Sequence, residues 1–255
     1  FVEPVEEGKN KKYDGITMGI CKAGDKEAIY LKFNVIEEDG EVKEKIKKSF
    51  TDDLDFQTVY YEAKQNPNAK DFKPSKSKFS SLDDFPIFTS ILNNQLKIMY
   101  ISKKDKKWNE KIIDVVKVAD LKNTADNDSE VYSVTTKDKG LYIGFYINKA
   151  GTFLLRLNLP DVNEECLEKI SNAKIQALCD FNGKIFVVLK DEENNEIFAK
   201  KAEWIGKNYK ISDKKYEINT EGLDVKKLLS PDYAKEKIPV IFGDNNKLIL
   251  EYITE

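Results

Sequence analysis

The stretch Lys174 to Trp204 constrains this chain more than any other. It reads Lys174-Ile-Gln-Ala-Leu-Cys-Asp-Phe, then Asn182-Gly183, then Lys184-Ile-Phe-Val-Val-Leu-Lys. A polar turn at Asp191 to Asn195 leads into Glu196-Ile-Phe-Ala-Lys-Lys-Ala-Glu-Trp204. Asn-Gly between two apolar runs specifies a tight hairpin, because a type I′ turn needs positive φ at both central residues. The segment is therefore three antiparallel strands in series.

The same plan recurs along the chain: apolar strand, turn of Asn, Gly or Asp, aromatic-rich strand, polar turn, third strand. Five copies have their central turns near Gly24, Asn94, Lys139, Asn182 and Asp244. Spacings are about 45 residues at the closest and 60 to 70 elsewhere, within reach of propeller repeats that carry insertions. The expected fold is all-β, a propeller-like array of four to five antiparallel blades. A long β-meander or sandwich of similar hairpins is the competing architecture. Residues 1–255 are read as one repeat-built domain with a loop-rich insertion at about 51–84, where Asn66 to Ser80 is rich in Pro, Asn and Ser. Pro160 to Ala173 reads as a linker with a helical turn at Glu164 to Ile170. The last copy stops after two strands, and residues Phe1 to Val5 are expected to complete its blade. The chain opens on Phe1 rather than Met and shows no signal-peptide pattern, so a trimmed product is expected.

Composition removes whole classes of chemistry. The 255 residues include no histidine, so Ser-His-Asp and Cys-His catalysis, histidine metal sites and imidazole pH switches are excluded. Arg156 is the only arginine, against 41 lysines, so no site can use two guanidinium clamps. Forty-two basic and 45 acidic residues give a net charge of −3, and no basic block argues for a nucleic-acid partner. No apolar run approaches the roughly 18 residues of a membrane span.

The three cysteines, Cys21, Cys166 and Cys179, fit no zinc spacing. Cys166 and Cys179 form a candidate disulfide if the protein is secreted, and three thiols are the alternative. Asn127-Asp-Ser129 is a glycosylation sequon in the same setting. Adjacent carboxylates occur at Asp52-Asp53, Asp83-Asp84 and Glu164-Glu165, but neighbours on a strand point to opposite faces, so these read as solvated charges. The oxygen-rich turns Asp191 to Asn195 and Asp244 to Asn246 lack EF-hand spacing and read as Asx turns. Trp108 and Trp204 are expected in the core. No catalytic, cofactor or metal site is assigned.

The segment Asn94 to Ile113 resembles a blade of the sialidase-like propellers. In that family a strand leads into a Ser-x-Asp-x-Gly-x-Thr-Trp turn. Here Ser102, Asp105 and Trp108 match, while the Gly and Thr are missing. Family sialidases use an arginine triad on the substrate carboxylate, a Tyr/Glu nucleophile pair and an Asp acid. One arginine cannot make that triad, so the resemblance implies a non-catalytic relative or a diverged fragment. Such non-catalytic propellers occur among surface and invasion ligands of apicomplexan parasites, and the Lys/Asn-rich composition is compatible with that setting. The expected function is a non-enzymatic binding or scaffold module, secreted or at the cell surface, that engages a protein or glycan partner without a cofactor. The loop at Asn66 to Ser80 and the inter-blade turns are its expected contact points. The alternative is a glycan-active propeller enzyme using only Asp and Glu, with carboxylates converging at one mouth of the axis.

Overall fold

The structure is a computed structural model that describes residues 12–65, 77–82, 84–92, 94–102, 106–119, 130–220, 227–243 and 247–254. Four antiparallel sheets follow one another along the chain. The first runs β1 (Lys12–Ala23), β2 (Lys26–Ile36), β3 (Glu41–Phe50), β4 (Gln57–Gln65). The second is β5 (Ser77–Leu82), β6 (Phe85–Leu92), β7 (Gln95–Ile101), β8 (Trp108–Asp114), closed by a short helix α1 (Val115–Val118) that Asp114 caps. The third is β9 (Val131–Thr135), β10 (Gly140–Ile147), β11 (Gly151–Asn158), β12 (Asn163–Ser171). The fourth is β13 (Lys174–Phe181), β14 (Lys184–Asp191), β15 (Glu196–Ile205), β16 (Asn208–Ile211), with β17 (Tyr216–Ile218) also pairing β15. A fifth, smaller sheet joins β18 (Lys227–Leu229), β20 (Ile238–Gly243) and β21 (Leu248–Ile253), while β19 (Tyr233–Ala234) adds to β13 in parallel.

The first strands of successive sheets, β1, β5, β9 and β13, pack on one another, so each sheet is a blade with its first strand at a common axis and its fourth at the rim. This is the propeller arrangement expected from the repeats. Asn182 and Gly183 do form the tight turn of β13 and β14, at φ 54° and 83°.

Blades stack face to face, and each contact is a separate apolar core. Tyr30, Ile46, Phe88 and Met99 lie between the first and second blades. Ile87, Leu96, Leu141, Ile143 and Phe145 fill the next contact, and Tyr142, Leu154, Leu178 and Val187 the third. Phe186, Val188, Val240 and Phe242 join the fourth blade to the fifth sheet. A central strand thus has two buried faces. Along β14, Ile185, Val187 and Leu189 face the third blade, while Phe186 and Val188 face the fifth sheet. That is why the sequence there is a continuous apolar run and not an alternating one. Each such fully buried side chain contributes roughly 1.5–3 kcal/mol of transfer free energy.

Several expectations are corrected. Within the region read as loop-rich, the stretch Thr58 to Ala63, which has the composition of a strand, lies in β4, whereas β5 falls on residues read as loop; residues 66–76 lie outside the described residues. Missing β5 displaced the second copy by one strand. Its first turn is at Asp84, between β5 and β6, and the Asn94 turn is the second one. The fifth copy is displaced in the same way by β18, which precedes β20. The linker and helical turn expected at Pro160 to Ala173 are largely the strand β12. Phe1 to Val5, expected to complete the last blade, lie outside the described residues.

Candidate functional site

The site most open to chemistry is the axial mouth where β9 and β13 end. Asp180 stands near the end of β13, its residue 3 % exposed, and its carboxylate accepts the Gly183 N–H at 2.7 Å. Its own backbone N–H donates to the Asp232 carbonyl at 2.8 Å, fixing the link before β19 against the inner strand. Burial pushes the Asp180 carboxyl above the usual carboxylate range. The Gly183 N–H opposes this, nearby Asp138 adds to it, and Lys137 opposes it. Asp232 is held from across the axis by Lys78 of β5 at 3.1 Å. A small hydroxyl cluster, in which Thr89 donates to Ser133 at 3.0 Å and Ser133 meets Ser80, ties the second and third blades together.

Asp138 lies in the turn between β9 and β10. It accepts from the Thr136 hydroxyl and from the Gly140 N–H at 3.3 Å, and it meets Arg156 Nη2 at 3.3 Å. Arg156 extends from β11 into the contact between the third and fourth blades. It is 4 % exposed, donates from Nε to the Tyr142 hydroxyl at 3.2 Å, and lies over the Tyr142 and Trp204 rings. The one arginine of the chain is thus spent on blade packing and does not face the axis as a carboxylate receptor.

Each carboxylate at the mouth is engaged: Asp138 by Arg156, Asp180 by a backbone N–H, Asp232 by Lys78. Among the described residues, no group of three acidic or cysteine side chains is placed to hold a metal ion.

A second candidate surface lies at the rim of the fourth blade. A hollow of about 370 Å³ is lined by Asn195, Ile197, Lys215, Glu217, Asn219 and Thr220. It adjoins another of about 420 Å³, lined by Lys169, Asn172, Asp191, Phe198, Lys200 and Lys215. Lys215 and Phe198 belong to both, with the Lys215 ammonium 4.5 Å from the Phe198 ring centroid. Lys200 donates to the Ile170 carbonyl at 3.2 Å, linking the rims of the third and fourth blades. Both hollows are open to solvent and lined mostly by polar and charged side chains.

The residues singled out from sequence are scattered. Cys166 and Cys179 are thiols and form no disulfide, which corrects the candidate bridge. Cys166 is on the rim strand β12 opposite Arg156, and Cys179 is on the axial strand β13 opposite Phe186, so a short sequence separation becomes a rim-to-axis one. Burial pushes the Cys21 and Cys179 thiols up to about 12. Asn127 lies outside the described residues, as do Asp83, Asp105 and Asp244 to Asn246. Asp52 pairs with Lys26 at 2.9 Å on the surface. Asp191 accepts from the Glu193 N–H at 3.0 Å, the Asx turn expected there. Ser102 and Trp108 bracket the turn between β7 and β8, and the Trp108 ring packs on Tyr30 and Phe88. Sequence reading missed Asp138, Asp180 and Asp232. The signal available was position: the first two stand at or beside the first turn of a repeat, the turn nearest the axis. No helix among the described residues is long and apolar enough to cross a membrane.

These blades define a chain of the β-propeller class. Solved structures agree on the fold. The chain is similar to a K499G mutant of NanB sialidase from Streptococcus pneumoniae, with TM-score 0.59 and 7 % identity, over 96 % of this chain and 56 % of that one. AofleA from Arthrobotrys oligospora matches with TM-score 0.52 and 12 % identity, over 97 % of this chain and 74 % of that one. The Cps50 (Swd1) β-propeller domain of Myceliophteria thermophila matches with TM-score 0.51 and 11 % identity, over 94 % and 86 %. The chain therefore spans little more than half the length of the sialidase it resembles. No protein-family profile and no curated protein matches it.

Proposed function

We propose that the chain is a non-enzymatic binding or scaffold module that engages a protein partner, with a glycan as the second ligand class, in a secreted or cell-surface setting. The observation that carries this reading is the position of Arg156. The only guanidinium in the chain is buried between blades, against Tyr142, Asp138 and Trp204. It has no access to a substrate carboxylate, and no second arginine exists to replace it. The open polar troughs at the rim of the fourth blade offer contact surface without an enclosed reaction chamber.

One observation favours the rival, a glycan-active enzyme using carboxylates alone. Asp180 is buried, holds its proton more tightly than an ordinary carboxyl, and has Asp138 near it. Two carboxyls with divergent environments are what acid catalysis of glycoside cleavage requires. A panel of fluorogenic glycosides decides between the two. The binding reading expects no turnover above buffer. Hydrolysis that disappears in Asp180→Asn while the fold is retained overturns it. Binding itself is tested by labelling cells with the fluorescent protein before and after protease or glycosidase treatment. Loss on protease treatment supports a protein partner and loss on glycosidase treatment a glycan. No labelling of untreated cells argues against the surface role.

A further inference from the structure

The hollow of about 420 Å³ between the third and fourth blades gathers three lysines: Lys169 near the end of β12, Lys200 in β15 and Lys215 just before β17. Asp191, the last residue of β14, is its one carboxylate. Lys200 shares its face of β15 with Phe198 and Ala202, which pack against the third blade. Its ammonium has three N–H donors and gives one to the Ile170 carbonyl at 3.2 Å, so two are left. The Lys215 ammonium rests 4.5 Å from the centroid of the Phe198 ring. Ser171 also lines the hollow; its Oγ accepts the Ala173 N–H at 3.1 Å, which leaves the hydroxyl proton to donate. Among the described residues, no carboxylate forms an ion pair with Lys169, Lys200 or Lys215. Asp191 is held by its own turn, accepting from the Glu193 N–H at 3.0 Å and from the Asn194 side-chain amide at 3.2 Å.

Three ammoniums against one carboxylate leave the lining of this hollow with a net charge of +2. A phosphate monoester brings about −1.5 to −2 at neutral pH and three acceptor oxygens, whereas a carboxylate brings a single charge. Lysine suits that ligand, since an ammonium binds phosphate as a point charge, while the planar pairing that favours carboxylates belongs to arginine. The adjoining hollow has the opposite sign. It shares Lys215 but is lined by Glu196 and Glu217, which leaves it at −1. A run of anionic groups passing from one hollow to the other would meet these two carboxylates. A single phosphate beside a cation matches both hollows at once. A polypeptide carries that pair when a phosphorylated residue has Lys or Arg near it, and a phosphorylated sugar has no cation to offer.

We propose that the paired hollows receive a phosphorylated segment of a protein partner. The phosphate takes donors from Lys169, Lys200, Lys215 and the Ser171 hydroxyl, and a basic side chain of the same segment meets Glu196 and Glu217. This deepens the reading of the chain as a protein-binding module and rests on it.

The test is calorimetric titration of the 255-residue protein at fixed ionic strength. The probes are a phosphoserine peptide with lysines on both sides, the same peptide unphosphorylated, the phosphopeptide with glutamates in place of the lysines, and glucose 6-phosphate. The first should bind tightest. Lys169 and Lys215 are exposed, so Lys169→Gln and Lys215→Gln should keep the circular dichroism and Tm of the parent. Each should weaken the phosphopeptide by about three- to tenfold. Lys207→Gln removes the same charge from the exposed turn after β15, outside both hollows, and should change binding by less than about twofold. Glu217→Gln should weaken the lysine-flanked phosphopeptide and leave glucose 6-phosphate unchanged. Several results overturn the proposal: no heat with the phosphopeptide, equal binding of its unphosphorylated form, an equal loss in Lys207→Gln, or tighter binding of the sugar phosphate or of the glutamate-flanked peptide. If the phosphopeptide fails while cells are still labelled in a protease-sensitive way, this inference falls and the binding reading stands. Glycoside turnover that depends on Asp180 removes the binding reading whatever the peptides do.

Discussion

The guanidinium carbon of Arg156 lies 4.5 Å from the centroid of the Trp204 ring, and the same group is hydrogen-bonded to Tyr142. The residue that a carboxylate-binding propeller would expose is here a tie between two blades. Arg156→Met removes the tie and leaves the buried Tyr142 hydroxyl and the Asp138 carboxylate without it. The expected cost is about 2 kcal/mol, less than for a fully buried pair because Asp138 is half exposed. Arg156→Lys keeps the charge but loses the planar stack, and should cost about 1 kcal/mol. Urea titration read by tryptophan fluorescence checks both, since Trp204 should report the change before unfolding. Parent-like stability in Arg156→Met would mean that the contact contributes nothing to blade packing.

Gly19 and Phe79 are a second inter-blade pair. A Cβ at Gly19 would stand 1.9 Å and 2.0 Å from two atoms of the Phe79 ring. That ring cannot simply swing away, because it packs against Tyr30 and Phe88. Gly19→Ala should therefore destabilise by about 1–3 kcal/mol through overpacking. Adding Phe79→Leu should return part of the loss, so that the pair is less than additive in denaturation. Strict additivity would show that the two blades do not meet at this point.

Architecture was legible in the sequence where a blade is central, and least so where an element is short or polar. The Asn182-Gly183 turn and the apolar runs beside it announced β13 and β14 because both faces of those strands are buried. Ser77 to Leu82 was hidden because its residues Ser77, Lys78, Ser80 and Ser81 look like a loop. Its partners are hydroxyl and lysine contacts to other blades: Ser80 with Ser133, Thr17 with the Ser77 carbonyl, Lys78 with Asp232. The axial mouth was illegible for a related reason. Asp138, Asp180 and Asp232 lie on three segments well apart in sequence, and only the order of blades around the axis brings them near one another. Cys166 and Cys179 show the converse, closeness in sequence that the rim-to-axis path of the chain undoes.

Thiol chemistry gives a direct check on the placement of the cysteines. The Cys21 and Cys179 thiols are buried, and burial pushes both up to about 12, so almost no thiolate forms near neutral pH. In the native protein at pH 8 both should resist an aromatic disulfide reagent, and in denaturant all three cysteines should react. Intact mass should be the same with and without reductant. Rapid modification of Cys21 or Cys179 in the native state, or a mass gain of two protons on reduction, would contradict the placement.

The last prediction concerns acid stability. Lys32 is 1 % exposed and its ammonium meets Glu44 at 2.8 Å and the Ser77 hydroxyl at 3.2 Å. Glu44 also meets Lys97 at 2.6 Å, and Lys97 reaches Glu110 at 3.0 Å. Burial alone would raise the Glu44 carboxyl, but Lys32 and Lys97 outweigh it and hold the group below its ordinary value. A carboxyl depressed in the folded state contributes stability that is fully present above its unfolded value of about 4.3 and is lost as pH falls through the folded value. Glu44→Gln should therefore cost about 3 kcal/mol near neutral pH, where it leaves Lys32 buried without its carboxylate. The gap between parent and variant should stay constant above roughly pH 5 and narrow below about pH 4 as the parent takes up the proton. Denaturation midpoints measured against pH test this: parallel curves for the two proteins down to the acid limit would show that Glu44 is not held ionised by the two lysines.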